Sequence, residues 1–362
     1  MDRPRALLTV ALPTYNGEAH LAETLASILA QDDVEFDLIV VDDQSADQSV
    51  ALVRRLAGDR ARIEVNPSRL GLAANWNLCA ARCRTPFLSI IHQDDVWLPS
   101  HLAAHLEALL SDPEIGLVAS GSIVIDEQGQ EIGGNVIQRG GLGDQDRVFE
   151  AGGLTELMAV ENPLRCSAVS MRVQAHRQAG GFDPALGYVV DWDFWLRVAS
   201  TWRVAWLARA SVAIRWHRGS ETHRLRQGRR DLDEARDLIE RVVGEQLSSH
   251  PRIRAIRRHG RLRLASAYLN RCYDSLKNGL RDLARDCLKE ALRTDPRILW
   301  SILGDPRLAG RLARLAIPAA GAGPWGGPRE LSGVQPDRAG KGRSAPPTGP
   351  GKDAPPPLTG SP

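Results

Sequence analysis

Two adjacent aspartates, Asp94 and Asp95, close the apolar run in SIIHQDDVWLP (residues 89–99), and His92 stands just before them. Like charges side by side at a strand end are unfavourable unless a cation sits near them. Hard carboxylate oxygens suit Mg2+ or Mn2+, ions that usually bind substrate phosphates as well. A second acidic pair, Asp42 and Asp43, opens DDQSADQS. Carboxylates at a strand tip suit the hydroxyls or ring N–H groups of a nucleoside. A third stretch, PTYNG (residues 13–17), offers a bend at Pro13, a ring for stacking at Tyr15 and a helix cap at Asn16. Each alone is explained as well by a cap or a turn; three in succession point to a ligand edge. Neither G-x-G-x-x-G nor G-x-x-x-x-G-K-[ST] occurs. Any phosphate would therefore be neutralised by a cation on the carboxylates, not by a glycine-rich cradle.

These motifs need a scaffold that brings strand ends together. ALLTVAL (6–12), FDLIVVDD (36–43), RIEVN (62–66), FLSIIH (87–92) and IGLVASGSIVID (115–126) are predicted strands, being short and apolar. Helices are predicted between them: residues 18–30, with Leu21, Leu25, Ile28 and Leu29 on one face; a stretch carrying Val50, Val53 and Leu56; 70–83; and 99–110. The alternation predicts parallel βαβ units in an α/β fold, a Rossmann-like three-layer α/β/α sandwich. Ligands of such folds sit outside the carboxyl ends of the strands. Residues 127–218 are less regular. EQGQEIGG reads as a turn or hairpin, CSAVSMR and SVAIRWH as strands and DWDFWLRVAS as a helix, which together finish a mixed sheet. Residues 221–317 are predicted to be helical and rich in arginine. Ala265, Ala267, Tyr268, Ala284, Ala291, Leu292 and Pro296 resemble a tetratricopeptide-type helix pair; a small helical cap on the first domain fits equally. Residues 318–362 hold half of the 22 prolines and are expected to be disordered.

Composition narrows the partners. Over 362 residues, 46 Lys and Arg nearly balance 44 Asp and Glu, a net charge of +2, which gives no reason to expect nucleic acid. Five scattered cysteines without a second metal-type pair suggest reduced thiols in a cytoplasm and no zinc. No secretory leader is read at the N-terminus, and no apolar stretch approaches the roughly 20 residues of a transmembrane helix. Peripheral contact with the inner face of the membrane, or with a protein through the helical region, stays open.

VALPTYNGEAHLAETLASILAQ, LIVVDDQSADQS, RLGLAANWNLCAARCRTPFLSIIHQDDVWLP and GGFDPALGYVVDWDFWLRVA resemble the family-2 glycosyltransferases of GT-A fold, in order, over about residues 5–220. The resemblance implies a GT-A domain over 1–220, followed by the helical region and the tail. It implies inverting transfer of a sugar from a nucleotide-diphosphate donor to a glycan, lipid-linked or protein acceptor, in envelope polysaccharide or similar biosynthesis. By the same resemblance Pro13, Thr14 and Tyr15 lie against the base, and Asp43, with Asp42 beside it, reads base or ribose. Asp94 serves ribose and metal, Asp95 binds the metal (Mg2+ or Mn2+), and His217 approaches the metal or the diphosphate; Arg215 and Arg218 are the alternative phosphate contacts. The general base maps to Asp191, with Asp193 as rival, and Trp192 next to it could stack on an acceptor sugar. His92 and Val190 stand where relatives often carry acids. Two other readings remain, a nucleotidyltransferase and a degenerate transferase fold acting as a scaffold.

Overall fold

A computed structural model describes residues 6–132 and 137–303 of the chain. Four parallel strands form one half of its sheet: β1 (Leu8–Thr14), β2 (Phe36–Asp42), β3 (Ala61–Val65) and β4 (Phe87–Ile90), in the order β3-β2-β1-β4. Every residue of β1 and β4 is buried. A strand covered on both faces reads as a continuous apolar run, which is why these were visible in the sequence. The crossovers are α1 (Leu21–Leu29), α2 (Ser49–Ala57) and α3 (Leu72–Arg82).

The other half contains β5 (Val96–Trp97), α4 (His101–Ser111), β6 (Ile115–Ile125), β7 (Arg147–Phe149), α5 (Thr155–Met158), β8 (Val169–Arg172), α6 (Val173–Gln178), α7 (Val190–Thr201) and β9 (Arg203–Arg215). β8 runs antiparallel between β4 and β6, β9 is parallel to β6, and β5 and β7 pair antiparallel with β9. The result is a mixed nine-stranded sheet. Leu21, Leu25, Val53, Leu102 and Leu109 make the core on one face; Trp76, Cys79, Phe194 and Trp195 belong to the core on the other.

Two local readings change, and the turn expected after β6 is present. β9 begins at Arg203, eight residues before the predicted strand, because register shifts at Gly121 of β6 break the two-residue alternation. A Cβ at Gly121 would lie 2.8 Å from Ile137 and 3.0 Å from the Ala208 carbonyl, so only glycine permits that approach. Cys166–Ala168 is a 3-10 turn instead of strand. The turn after β6 is a tight one through Gly129 (φ +77°), closed by an antiparallel bridge between Ile125 and Glu131.

The C-terminal helices are α8 (Glu221–Leu225), α9 (Arg230–Glu245), α10 (Ile253–Lys277), α11 (Arg281–Thr294) and α12 (Ile298–Leu303). α10 and α11 form a hairpin turning at Gly279 (φ +75°). Ala265, Tyr268, Cys272, Ala284, Cys287 and Ala291 are buried in it, and the same cluster continues through Leu238 and Ile239 of α9 to Val190 and Trp195 of α7. The helices are thus built onto the α7 face of the sheet. Among the described residues no helix is long and apolar enough to cross a membrane. Residues 304–317 of the predicted helical region and the tail at 318–362 lie outside the described residues.

His101 and His105, one turn apart on α4, are fully buried. Their Nδ1 atoms are hydrogen-bonded to the hydroxyls of Ser211 (2.7 Å) and Ser170 (2.8 Å). Burial, then the charge of Arg209, pushes His105 down to about 3; burial and its neighbours hold His101 well below 6.5. Below pH 6.5 the unfolded chain binds protons that the folded chain refuses. Stability is therefore lost as pH falls from 6.5 toward 3, by up to about 1.4 kcal/mol per pH unit for each histidine. His105→Gln should flatten that loss, read as a smaller difference between urea midpoints at about pH 7.5 and 5. An unchanged difference would show that His105 does not carry it.

Candidate active site

The loops after β1 and β2 are stitched together. Asn16 N donates to Ser45 Oγ (2.9 Å), Asn16 Oδ1 accepts from Ala46 N (2.8 Å) and Gly17 N donates to Ser49 Oγ (2.8 Å). Asn16 (φ 47°) and Gln44 (φ 66°) take the left-handed conformation this requires. Pro13 and Thr14 end β1 in the core, and Tyr15 emerges half-buried with the Arg69 guanidinium 3.9 Å from its ring centroid. Asp42 and Asp43 are both buried. Asp42 accepts from Ser45 N at 2.8 Å. Asp43 Oδ1 accepts from Asn66 Nδ2 (2.9 Å) and Leu70 N (2.7 Å), and Oδ2 from Gly71 N (2.8 Å). The pair therefore shapes the loops around Tyr15, and Asp43 Oδ2 keeps an acceptor position of its own.

Gln93 joins this edge to the acidic loop. Its Oε1 accepts from Tyr15 N at 2.8 Å and its Nε2 donates to Tyr15 O at 2.9 Å. A Cβ at residue 17 would come within 2.3 Å of that Oε1, so the clamp demands Gly17. Thr24 Oγ1 of α1 donates to the carbonyls of Gln93 (2.9 Å) and Asp95 (2.8 Å). Gln93→Ala should lower stability by about 2 kcal/mol, since two backbone groups lose partners. It should also weaken nucleotide binding, checked by urea unfolding and nucleotide titration of the same sample. A stability loss with full nucleotide affinity would limit Gln93 to the scaffold.

His92, Asp94 and Asp95 each offer a ligand atom, all within 4.8 Å of one another. Asp94 Oδ2 is 2.8 Å from His217 Nε2 at the end of β9. Asp95 Oδ2 accepts from Ser167 Oγ (2.5 Å) and Oδ1 from Arg215 N (2.9 Å). His92 N donates to Ser167 Oγ (3.0 Å), its ring stacks on Trp76 with centroids 5.1 Å apart, and its Nε2 is buried without a hydrogen-bond partner. Burial first, then the charge of Asp94, pushes the Asp95 carboxyl up to about 8, against its bonds from Ser167 and Arg215. Burial also acts to raise Asp94, but the His217 hydrogen bond and the charges of His92 and His217 bring it below the usual carboxylate range. Burial keeps the His92 imidazole below 6.5. Two carboxylates that do not readily ionise together, with the His92 Nδ1 3.8 Å from Asp95 Oδ2, fit a divalent cation.

Arg215 does not serve as a phosphate contact. Its side chain is fully buried and donates to the carbonyls of Asp94 (2.9 Å) and Asp126 (3.0 Å) and to the Glu23 carboxylate. It ties β9, α1 and the acidic loop into one piece.

Asp191 lies in the first turn of α7, where the helix dipole favours a carboxylate. Its Oδ1 accepts from Trp192 N (2.7 Å) and its Oδ2 faces Asn162 Nδ2 (3.3 Å). Burial raises its carboxyl, opposed by the Trp192 N–H and by the charges of His92 and Arg165. Asp193 is different. It is buried and held by Arg197 (2.8 Å) and by Arg241 of α9. Trp192 is no acceptor platform, being buried with Nε1 donating to Met158 O at 2.8 Å. Gly180 and Gly181 (φ +79° and +76°) form a turn docked on α3 by Asn77, which binds both the N–H (2.8 Å) and the carbonyl (2.7 Å) of Phe182.

The fold therefore gathers Asp94, Asp95 and His217, sets Asp191 in the first turn of α7 beside Asn162, and ties Asp42 and Asp43 into the neighbouring loops. Sequence reasoning missed Gln93 and Ser167. Gln93 lay inside the quoted SIIHQDDVWLP; Ser167 had no local signal, being 72 residues from Asp95.

A family model described as glycosyl transferase family 2 matches residues 9–149. An uncharacterized protein of Mycobacterium tuberculosis is 30% identical over 250 residues, covering 67% of this chain and 78% of its own length. Among solved structures, S. aureus TarS 1–349 in complex with UDP-GlcNAc aligns with a TM-score of 0.53 at 17% identity, over 85% of this chain and 87% of that one. The mannosyltransferase PcManGT from Pyrobaculum calidifontis, in complex with GDP-Man and Mn2+, aligns at 0.50 and 18% identity, over 86% and 80%. At these identities the structural likeness is one of fold.

Proposed function

Since the chain belongs to glycosyl transferase family 2 and is a glycosyltransferase, we propose that it transfers a sugar, with inversion, from a nucleotide-diphosphate donor to the hydroxyl of an envelope glycan or similar glycoconjugate. The observation that carries this reading is the His92–Asp94–Asp95 cluster just past the carboxyl end of β4. The nucleotide sugars and Mn2+ in the structures of like fold support the donor class.

In this reading Pro13, Thr14 and Tyr15 form the floor under the base, and the loops shaped by Asp42 and Asp43 enclose the ribose. Asp94, Asp95 and His92 would hold a divalent cation, and His217 would orient Asp94 through its hydrogen bond. A bound cation would neutralise the diphosphate as it leaves. Asp191 takes the proton of the acceptor hydroxyl as its oxygen attacks the anomeric carbon in line. Burial helps, because a raised carboxyl is a stronger base near neutral pH.

A screen of UDP-, GDP- and dTDP-sugars for acceptor-dependent nucleotide release tests this, with the product's anomeric configuration read by NMR. One donor class should react and give the inverted anomer. A retained configuration would contradict the single-displacement role of Asp191, and absence of nucleotide binding would favour the scaffold reading.

A further inference from the structure

The first half of α10 reads IRAIRRHGRLRL. Helical spacing puts Arg254, Arg257, Arg258 and Arg261 on one face, and all four are exposed. With Arg297 and Asp295 they border a cleft of about 300 Å³. Asp295 is already paired with Arg297 (2.8 Å), and Arg261 with Glu240 (3.0 Å). Among the described residues, Arg254, Arg257 and Arg258 have no carboxylate partner. The first turn of α10 contains no acid, so the positive helix end adds to three like charges. Such a concentration of positive charge is unfavourable until an anion covers it.

The neighbouring surface is apolar. α12 packs against α10 and α11, and it exposes Leu299 (46%) and Trp300 (77%), the latter the most exposed large hydrophobic side chain among the described residues. Trp300 follows one turn after Arg297, whose guanidinium reaches the Arg258 carbonyl; an exposed indole near a row of guanidinium groups matches the boundary of a bilayer, where the ring enters the headgroup layer and the cations meet lipid phosphates.

We propose that the arginine face of α10 and Trp300 of α12 dock the protein on an anionic phospholipid surface. The whole-chain charge is only +2, so the attraction is local to this face and not a general basicity. Arg263, on the opposite side of α10 from this face, pairs with Glu161, and the adjacent Asn162 contacts Asp191. The docking does not depend on the transferase reading.

Flotation of the full chain with vesicles tests the proposal. The protein should float with phosphatidylcholine vesicles containing about a third phosphatidylglycerol, and not with phosphatidylcholine alone, and salt should weaken the association. An arginine near an anionic surface contributes about fivefold to partitioning, so the triple variant Arg254→Gln, Arg257→Gln, Arg258→Gln should bind roughly 100-fold more weakly. Trp300→Ala should weaken binding as well. All three arginines are exposed, so the fold should survive, which circular dichroism and nucleotide titration of the same samples check. No flotation of the wild type, or flotation that the triple variant keeps, overturns the proposal. Saturable binding of inorganic phosphate without flotation would identify a soluble-anion site and overturn it too. Loss of nucleotide binding in the wild type would count against the transferase reading alone.

Discussion

Asp191→Asn is expected to lower sugar transfer by about 10³-fold while nucleotide affinity stays unchanged. The asparagine keeps the size of the side chain, and its amide oxygen can still accept from Trp192 N; what it loses is the capacity to take a proton. Asp193 supplies the control. Its carboxylate lies between Arg197 and Arg241, buried where α7 meets α9. Asp193→Asn should therefore lower the unfolding midpoint, because two guanidinium groups lose their counter-charge, while the folded fraction still transfers sugar. Steady-state kinetics and thermal unfolding of both variants separate the two roles. Full transfer by Asp191→Asn would place the base elsewhere. The wild-type pH profile adds an independent reading. A carboxyl raised by burial moves the acid limb of kcat/KM above the usual carboxylate range, and transfer rises with pH as Asp191 loses its proton.

The second large effect is expected at Asp95. Asp95→Asn should weaken Mn2+ binding, and Mn2+-dependent nucleotide binding, by about 100-fold, since even residues that only orient ligands typically contribute 10- to 100-fold. Asparagine is preferred to alanine because its oxygen can still accept from Arg215 N, and a buried donor left unpaired would cost about 1–3 kcal/mol. The ligand set can be resolved in the same titration. His92→Ala should weaken Mn2+ directly, because its imidazole belongs to the cluster with Asp94 and Asp95. His217→Ala should act less, through the orientation of Asp94. Equal Mn2+ affinity in wild type and Asp95→Asn would remove Asp95 from the site.

Much of this architecture was legible because the parallel half of the sheet is buried on both faces. β1 and β4 read as unbroken apolar runs, and the polar stretches that follow stand at the ligand edge. β9 was half hidden, since its pairing with β6 shifts register around Gly121 and the alternation of side chains fails there. β5 is two residues long and carries no periodicity at all. At the site, the acids could be named from their place at strand ends, but their partners could not. The Ser167–Asp95 and Gln93–Tyr15 bonds join residues 72 and 78 positions apart, and only the folded chain brings them together. Trp192 shows the reverse error. An aromatic beside the proposed base suggests a sugar platform, yet α7 turns that ring inward to the Met158 carbonyl. His92, which stood out as an imidazole among acids, gains a place through its Nδ1, 3.8 Å from Asp95 Oδ2 and within the cluster with Asp94.

The most direct measurement is a calorimetric titration of the full chain with UDP and with GDP, each with and without Mn2+. A site built from Asp94, Asp95 and His92 at the nucleotide edge should bind one of them with Mn2+ present and at least about tenfold more weakly without it, a difference of about 1.4 kcal/mol. Equal affinity in the two conditions, or no binding of either nucleotide, would contradict a metal-assisted transferase.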